Sequence, residues 1–446
     1  MKLRLLQIIV VSSLLLSSFN SFAETEPNNT AEQANTIILN ESVTGTMAAG
    51  DIDWYMVTIP DDGKLTATVS CSGTLQVDYV QLYDKDKSSL LVSGSYGVTG
   101  TGSYANLSPG TYFIKVFHWT GEGSYTISNT FTQALYASDT EPNDIADNAQ
   151  NLTVNSYTTG RLFYKNGTYT DNIDWFAVTI PDNGRIQIQV NCESTLQVDN
   201  IGLYDVDKTS LITNGSYGTT ATVTSNNLLA GTYYVRIPRW TGYGSYTVSN
   251  TFVVADLIND AEPNDVISHA QFFGLNDSVT GQLHYQQAGV YDNNDWFSVT
   301  IPDDGALTFT VLCESTLQVN NLELFDTDTI TKITGGSYGI SASIFYPNLT
   351  AGTYYVHIPW HTGYGSYVLK NEFTPASYTA DNHNNDSIQV AQEFNLNDSI
   401  TGRLYYRDST TYDFVDWFKV TIPDDGQLTF SVACESTLQV DYLQLF

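Results

Sequence analysis

The sequence predicts an all-β chain of tandem jelly-roll-like β-sandwich domains, one per 121-residue repeat, with the last copy truncated. Three observations carry this expectation. One string recurs four times, as DIDWYMVTIPDDG (51–63), DNIDWFAVTIPDNG (171–184), DNNDWFSVTIPDDG (292–305) and DFVDWFKVTIPDDG (413–426), so that Asp53, Asp174, Asp295 and Asp416 stand 121 residues apart. Such a period is too long for a solenoid unit and fits one whole small domain. Within each period, β-branched and aromatic residues alternate with polar ones between closely spaced turn residues, which is the pattern of strands. No long stretch repeats with the 3.6-residue period of a helix.

The second copy shows the elements in order. In DWFAVTI (174–180), Phe176, Val178 and Ile180 share one face. The turn PDNG follows, with Pro presetting φ and Gly expected to take up positive φ. Next come RIQIQVNC (185–192) and LQVDNIGLYD (196–205), then a Gly/Ser/Tyr loop. ATVTSNNLL (221–229), GTYYVRIPRW (231–240) and GSYTVSNTF (244–252) complete seven or eight strands, enough for two packed sheets. The one helical candidate is a turn or two at NDIADNAQ (143–150).

The domains are therefore expected at 24–133, 139–254, 260–375 and 381–446, joined by short linkers such as VVADLINDA that make closely spaced beads. Residues 1–23 read as a secretory signal peptide, with Lys2 and Arg4, an apolar run and the small-residue end Ser21-Phe22-Ala23. No later segment reads as membrane-spanning, and the mature protein is expected to be secreted or at the cell surface. The fourth copy stops at DYLQLF where the first copy's DYVQLY (78–83) is followed by the rest of its domain, so the chain is expected to continue beyond Phe446.

With 17 Lys+Arg against 48 Asp+Glu, the net charge is −31. That opposes nucleic acid and anionic membranes, which need cationic partners, and suits cation binding. Cys71, Cys192, Cys313 and Cys434 also follow the period, one per copy, which leaves no disulfide within a domain. Cys192 shares the face of Ile186, Ile188 and Val190 and is read as a buried, inert thiol.

An acidic segment precedes each Asp-Trp strand: ETEPNN (24–29), DTEPND (139–144), DAEPND (260–265) and DNHNND (381–386). Together with the D-W-[FY] strand and the late AGTYYV and GYGSY strands, it resembles the bacterial pre-peptidase C-terminal domain over nearly all of residues 24–446. That resemblance implies a non-catalytic β-sandwich of exported proteins, often peptidases, related to the collagen-binding domain of clostridial collagenases. It further implies structural Ca²⁺, held by an acidic segment and a D-x-x-D pair. The second copy offers Asp139, Glu141, Asn143, Asp144, Asp171 and Asp174, and the third Asp260, Glu262, Asn264, Asp265, Asp292 and Asp295. These hard oxygens suit calcium, which takes six to eight of them. The first copy offers Glu24, Glu26, Asn28, Asn29, Asp51 and Asp53, where Gly50 and Asn29 depart from the pattern and a weaker site is expected. In the fourth, His383 replaces the Glu, and a comparable site is not expected. A second acidic pair, Asp84/Asp86, Asp205/Asp207 and Asp326/Asp328, reads as a polar hairpin loop.

The six histidines share no common repeat position, and no G-x-S-x-G or H-E-x-x-H motif occurs, so residues 24–446 read as non-catalytic. FHWTGEGSY (117–125), IPRWTGYGSY (237–246) and IPWHTGYGSY (358–367) place aromatics at one strand-to-strand corner. Trp119, Trp240, Tyr243, Trp360 and Tyr364 are candidates either for gripping an extracellular polymer, a collagen-like chain or a polysaccharide, or for covering the sandwich end. Trp54, Trp175, Trp296 and Trp417 read as packing residues. Two functions remain open: an exported, calcium-stabilised adhesion or substrate-targeting array, and the accessory part of a secreted peptidase or other hydrolase whose catalytic domain follows residue 446.

Overall fold

The computed structural model describes residues 22–166, 169–382, 384–408 and 411–446. The leader read at 1–23 lies outside these except for its last two residues, and His383 lies outside them too.

The second repeat serves as the reference. Its strands are β1 (Gln150–Asn151), β2 (Tyr157–Leu162), β3 (Lys165–Asn166), β4 (Tyr169–Thr170), β5 (Ile173–Ile180), β6 (Gly184–Cys192), β7 (Leu196–Val198), β8 (Gly202–Tyr204), β9 (Leu211–Asn214), β10 (Thr220–Leu228), β11 (Gly231–Gly242) and β12 (Gly244–Val254). One sheet runs β1-β5-β11-β8-β9, with β7 also on β11, and the other runs β2-β12-β6-β10. The alternation read from the sequence sets which side chains meet between them. Phe176, Val178 and Ile180 face Ile186, Ile188 and Val190, and Val235, Ile237, Tyr246 and Val248 close the layer, all essentially without solvent access. Each such side chain stabilises the fold by about 1.5–3 kcal/mol relative to leaving it in water. The first and third repeats build separate cores from the matching residues. NDIADNAQ supplies only a single 3₁₀ turn, Ala146–Asn148, because its Asp and Asn side chains favour local turns over a continued helix.

The turn glycines differ from expectation. Gly63, Gly184 and Gly305 are not among the residues with positive φ. Instead the last strand of each repeat, β12 in the second, pairs tightly beside them, and a Cβ at Gly184 would stand 2.3 Å from the Val253 carbonyl oxygen. Close backbone approach, not a left-handed conformation, demands glycine there.

Half-burial of Cys71, Cys192 and Cys313 at their strand ends agrees with the strand phase, and burial pushes the Cys192 thiol up to about 12 and that of Cys313 to about 11. Cys434 is exposed.

The joins between repeats hold more than linkers. β3 and β4 form a hairpin that leaves its own sandwich and extends the first repeat's sheet, with Lys165 beside Leu107 of the Thr99–Leu107 strand. The third repeat's Gln286–Gln287 and Val290–Tyr291 do the same to β10, with Gln286 beside Leu228. Arg407–Asp408 and Thr411–Tyr412 extend the third repeat beside Leu349. Among the described residues of the fourth repeat, Gln392–Glu393 pairs with Phe418–Lys419, while Ile422, Val432 and Leu443 are more than half exposed. The long antiparallel partner of the Asp-Trp strand, β11 in the second copy, has no counterpart within 381–446.

Candidate functional site

Strand alternation sets up the site. Asp295 opens the strand Asp295–Ile301 in phase with Phe297, Val299 and Ile301, so its carboxylate points inward and has no solvent access. Asp53 and Asp174 occupy the same phase. A carboxylate in a core position needs partners, since burying an ion unpaired is costly. One partner is built in: the hydroxyl of Tyr367, from the GSY strand, donates to Asp295 Oδ2, as Tyr246 does to Asp174 and Tyr125 to Asp53. Gly281 and Gly160 make room for it, because a Cβ there would lie 2.3 Å from the tyrosine oxygen.

The acidic segment closes over the inward Asp. Asn264 is fully buried; its amide nitrogen donates to Asp260 Oδ2 at 2.7 Å, its backbone N–H to Glu262 Oε2 at 3.1 Å, and its carbonyl accepts from Trp296 N at 3.1 Å. With the amide nitrogen so held, Asn264 Oδ1 is buried and has no hydrogen-bond donor. Asp260 Oδ1, Asp295 Oδ1 and both oxygens of Asp292 share that condition. Asp260, Glu262, Asp292 and Asp295 each bring an oxygen within 4.8 Å of the others. Burial first, and then repulsion from Glu262 and Asp260, pushes Asp292 up to about 9. Asp295 is raised well above the usual carboxylate range by burial and by Asp260.

The second repeat is similar. Asp139, Glu141 and Asp174 gather within the same limit, and Asn143 donates to Asp139 Oδ2 at 2.9 Å, leaving its own Oδ1 free of donors. Asp171 is buried beside them and pushed to about 9 by burial and by Glu141, but is outside that tight group. In the first repeat Glu24, Glu26 and Asp53 come together, and Asp53 rises to about 8 through burial and through Glu24. Tyr55 replaces the Phe of the later copies and donates to Glu24 at 2.7 Å. Asn28 is buried there with neither amide atom paired, while Asn29 is exposed and Asp51 accepts from Ile52 N at 3.0 Å, outside the group. The fourth repeat brings Asp381, Asp413 and Asp416 together, with Asp416 raised to about 8 by burial and Asp381.

Asp144 and Asp265 stay at the rim of these groups; Asn294 donates to Asp265 at 3.4 Å. The tyrosine that holds the inward Asp was not picked out from sequence as part of the site, although its constant position in GSY was the available signal. The donor set, all carboxylate and amide oxygen with no imidazole or thiolate, fits a hard cation of the calcium type. Buried oxygens without donors are where such an ion would bring its charge.

The aromatic corner is separate. Trp119, Trp240 and Trp360 are 51%, 55% and 71% exposed. Tyr243 and Tyr364 are half-buried, Tyr243 with its ring 6.3 Å from Tyr164. The exposed companions are other residues, from the GSYG loops: Tyr96 meets Trp119 edge-on at 5.3 Å and Tyr217 meets Trp240 at 5.5 Å. Tyr338 is exposed in the matching loop. By contrast Trp54 and Trp175 are buried, and Trp296 lies stacked 3.9 Å from His357. The loop pair read as polar divides its roles. Asp86, Asp207 and Asp328 cap their own turns, while Asp84, Asp205 and Asp326 are buried.

No protein-family model matches the chain. Over 110 residues, 24% of this chain, it is 27% identical to Collagenase ColQ1 of Bacillus cereus (strain Q1). The chain spans 11% of the length of that curated relative. The solved pre-peptidase C-terminal domain of a collagenase from Bacillus anthracis aligns over its whole length with 25% of this chain, at 20% identity and a TM-score of 0.21. The tandem CBM22 domains of Paenibacillus barcinonensis Xyn10C align over 86% of their length with 48% of this chain, at 9% identity and a TM-score of 0.15. No helix among the described residues is long and apolar enough to cross a membrane. The repeats thus have a pre-peptidase C-terminal-like relation, borne by their motifs and by the collagenase match.

Proposed function

We propose that residues 24–446 form an exported, non-catalytic binding array whose sandwiches are stabilised by calcium and whose aromatic corners hold an extracellular polymer. The observation that carries the binding reading is the exposed Tyr–Trp pair at one corner of the first two copies, with Trp360 and Tyr338 both exposed at the matching place in the third. Exposed aromatic clusters offer flat apolar faces with polar edges, suited to a collagen-like chain or a polysaccharide. Several weak contacts on one chain add up by effective concentration. In the third repeat Asp260, Glu262, Asn264, Asp292 and Asp295 would hold the ion, and in the second Asp139, Glu141, Asn143, Asp171 and Asp174. The ion would supply charge neutralisation there, while the tyrosine and the acidic segment orient the oxygens.

The test is co-sedimentation of the full chain with insoluble collagen, cellulose and chitin. Retention on one of them, lost on changing Trp119, Trp240 and Trp360 together to Ala, is expected; no retention on any polymer, or retention unchanged in the triple variant, defeats the reading. The match to a collagenase favours a second reading, in which the same array serves as the accessory part of a secreted hydrolase. Sequencing the gene past codon 446 separates the two.

A further inference from the structure

Successive repeats meet through a side chain whose identity changes together with that of its partner. Arg161, on β2, reaches back to the PDDG turn of the first repeat, with its Nη1 at 2.6 Å from Asp61 and 2.9 Å from Asp62. Arg403 does the same to the third repeat, at 2.8 Å from Asp303 and 3.0 Å from Asp304. Between the second and third repeats the turn reads PDNG, and the residue that reaches it is Gln282; Asn183 donates its amide hydrogen to Gln282 Oε1 at 2.7 Å. Each reaching side chain also donates to a linker carbonyl: Arg161 to Tyr136, Gln282 to Leu257 and Arg403 to Tyr378. The linker in turn is tied to the same turn, since Ala134, Ala255 and Ala376 donate to the carbonyls of Asp62, Asn183 and Asp304.

Chemistry explains why the two positions change together. The Arg161 and Arg403 side chains are only 3% exposed, and Asp62 and Asp304 are buried. A buried guanidinium needs the second carboxylate; a glutamine there would leave that carboxylate without its counter-charge. An arginine facing Asn183 would likewise lose one of its acids, whereas two amides satisfy each other without charge.

The rest of the join is common to all three. Asn106, Asn227 and Asn348 donate to the carbonyls of Phe163, His284 and Tyr405, each of which has φ near +65°. The first repeat lacks the parts that reach backward: Gly45 to Asp53 spans eight positions where Gly160 to Asp174 spans fourteen, and Thr46 stands at the place of Arg161. The length that is missing is the hairpin that the later repeats give to their predecessors.

We infer that each join is a keyed interface, charged at the first and third and neutral at the second, which holds neighbouring repeats as one stiff unit and admits only a successor of matching chemistry. Hydrogen exchange of the full chain, followed by mass spectrometry over residues 134–138 and 162–166, tests it. Arg161→Gln and Asp62→Asn should each speed exchange in those segments at least tenfold, with the β6 and β12 segments still protected. The double variant R161Q/D62N recreates the neutral key and should return exchange to within threefold of the parent. Additive damage in the double variant, or no change in either single one, overturns the inference. Should the single variants unfold, R161Q/D62N and the opposite swap Q282R/N183D must still fold and protect their joins; loss of protection in either swap also overturns it.

Discussion

Changing Asp292 and Asp295 together to Asn in the full chain should abolish the calcium response of the third repeat alone. Its four carboxylates lie with an oxygen each within 4.8 Å of the others, and the two changed residues supply half of them. An ion that binds only the folded state adds RT ln(1 + [L]/Kd), about 2.7 kcal/mol at a hundredfold excess over Kd. For a unit of this size 1 kcal/mol moves the midpoint by roughly 4 °C, so calcium should raise the third transition by about 10 °C. The variant keeps only Asp260 and Glu262, and its gain should fall below about 2 °C. In chelator it should melt no lower than the parent, because the amides remove the burial cost of the charge and the mutual repulsion that together push Asp292 up to about 9. Scanning calorimetry in chelator and in millimolar calcium measures both, with the first and second repeats as internal references. A parent chain whose transitions do not move with calcium, or a variant that keeps the full shift, refutes the reasoning.

Because Asp292, Asp171 and Asp53 are raised from 3.8 to about 9, 9 and 8, the unfolded chain gives up these protons first. The stability these groups contribute in chelator should therefore be fully present below about pH 3.8 and be lost progressively as pH rises from there to 8–9, and calcium binding at pH 7 should release protons measurable in buffers of differing ionisation enthalpy. Tyr367→Phe should weaken calcium binding by the third repeat about 10- to 100-fold, as loss of an outer hydrogen bond commonly does, with the fold retained; titration calorimetry reads it. Ile188→Ala should cost about 2–5 kcal/mol of the second repeat's stability in urea melts. In the native protein Cys192 and Cys313 should react slowly with a thiol reagent, in keeping with their partial burial.

The sandwich was legible because period-2 patterning is a local property: Phe176, Val178 and Ile180 declare their face without any knowledge of the partner sheet. The acidic groups were legible in membership but not in depth. Asp174 sits in phase with core residues, yet only the crossing of Tyr246 over Gly160 shows how its carboxylate is held. The rim position of Asp265 and the half-burial of Tyr243 depend on loop paths that spacing does not encode. The hairpin of β3 and β4 carries no such local mark, because its partner strand belongs to another repeat, more than fifty residues earlier. The mismatch in length between the first copy and the rest was its one sequence signal.

That hairpin has a consequence for synthesis. A ribosome makes the chain from its N-terminus, so the Thr99–Leu107 strand is finished before the segment that will cover its edge exists. At about 5–20 residues per second, the sixty-odd residues from Leu107 to Thr170 take roughly 3–12 s. For that interval each newly made repeat presents one open β-edge, the kind of surface on which foreign strands add and aggregates begin. The next instalment of the same polypeptide then arrives at high local concentration and seals it. The nascent array thus advances with this edge uncovered only at its growing end, however many repeats already stand behind it.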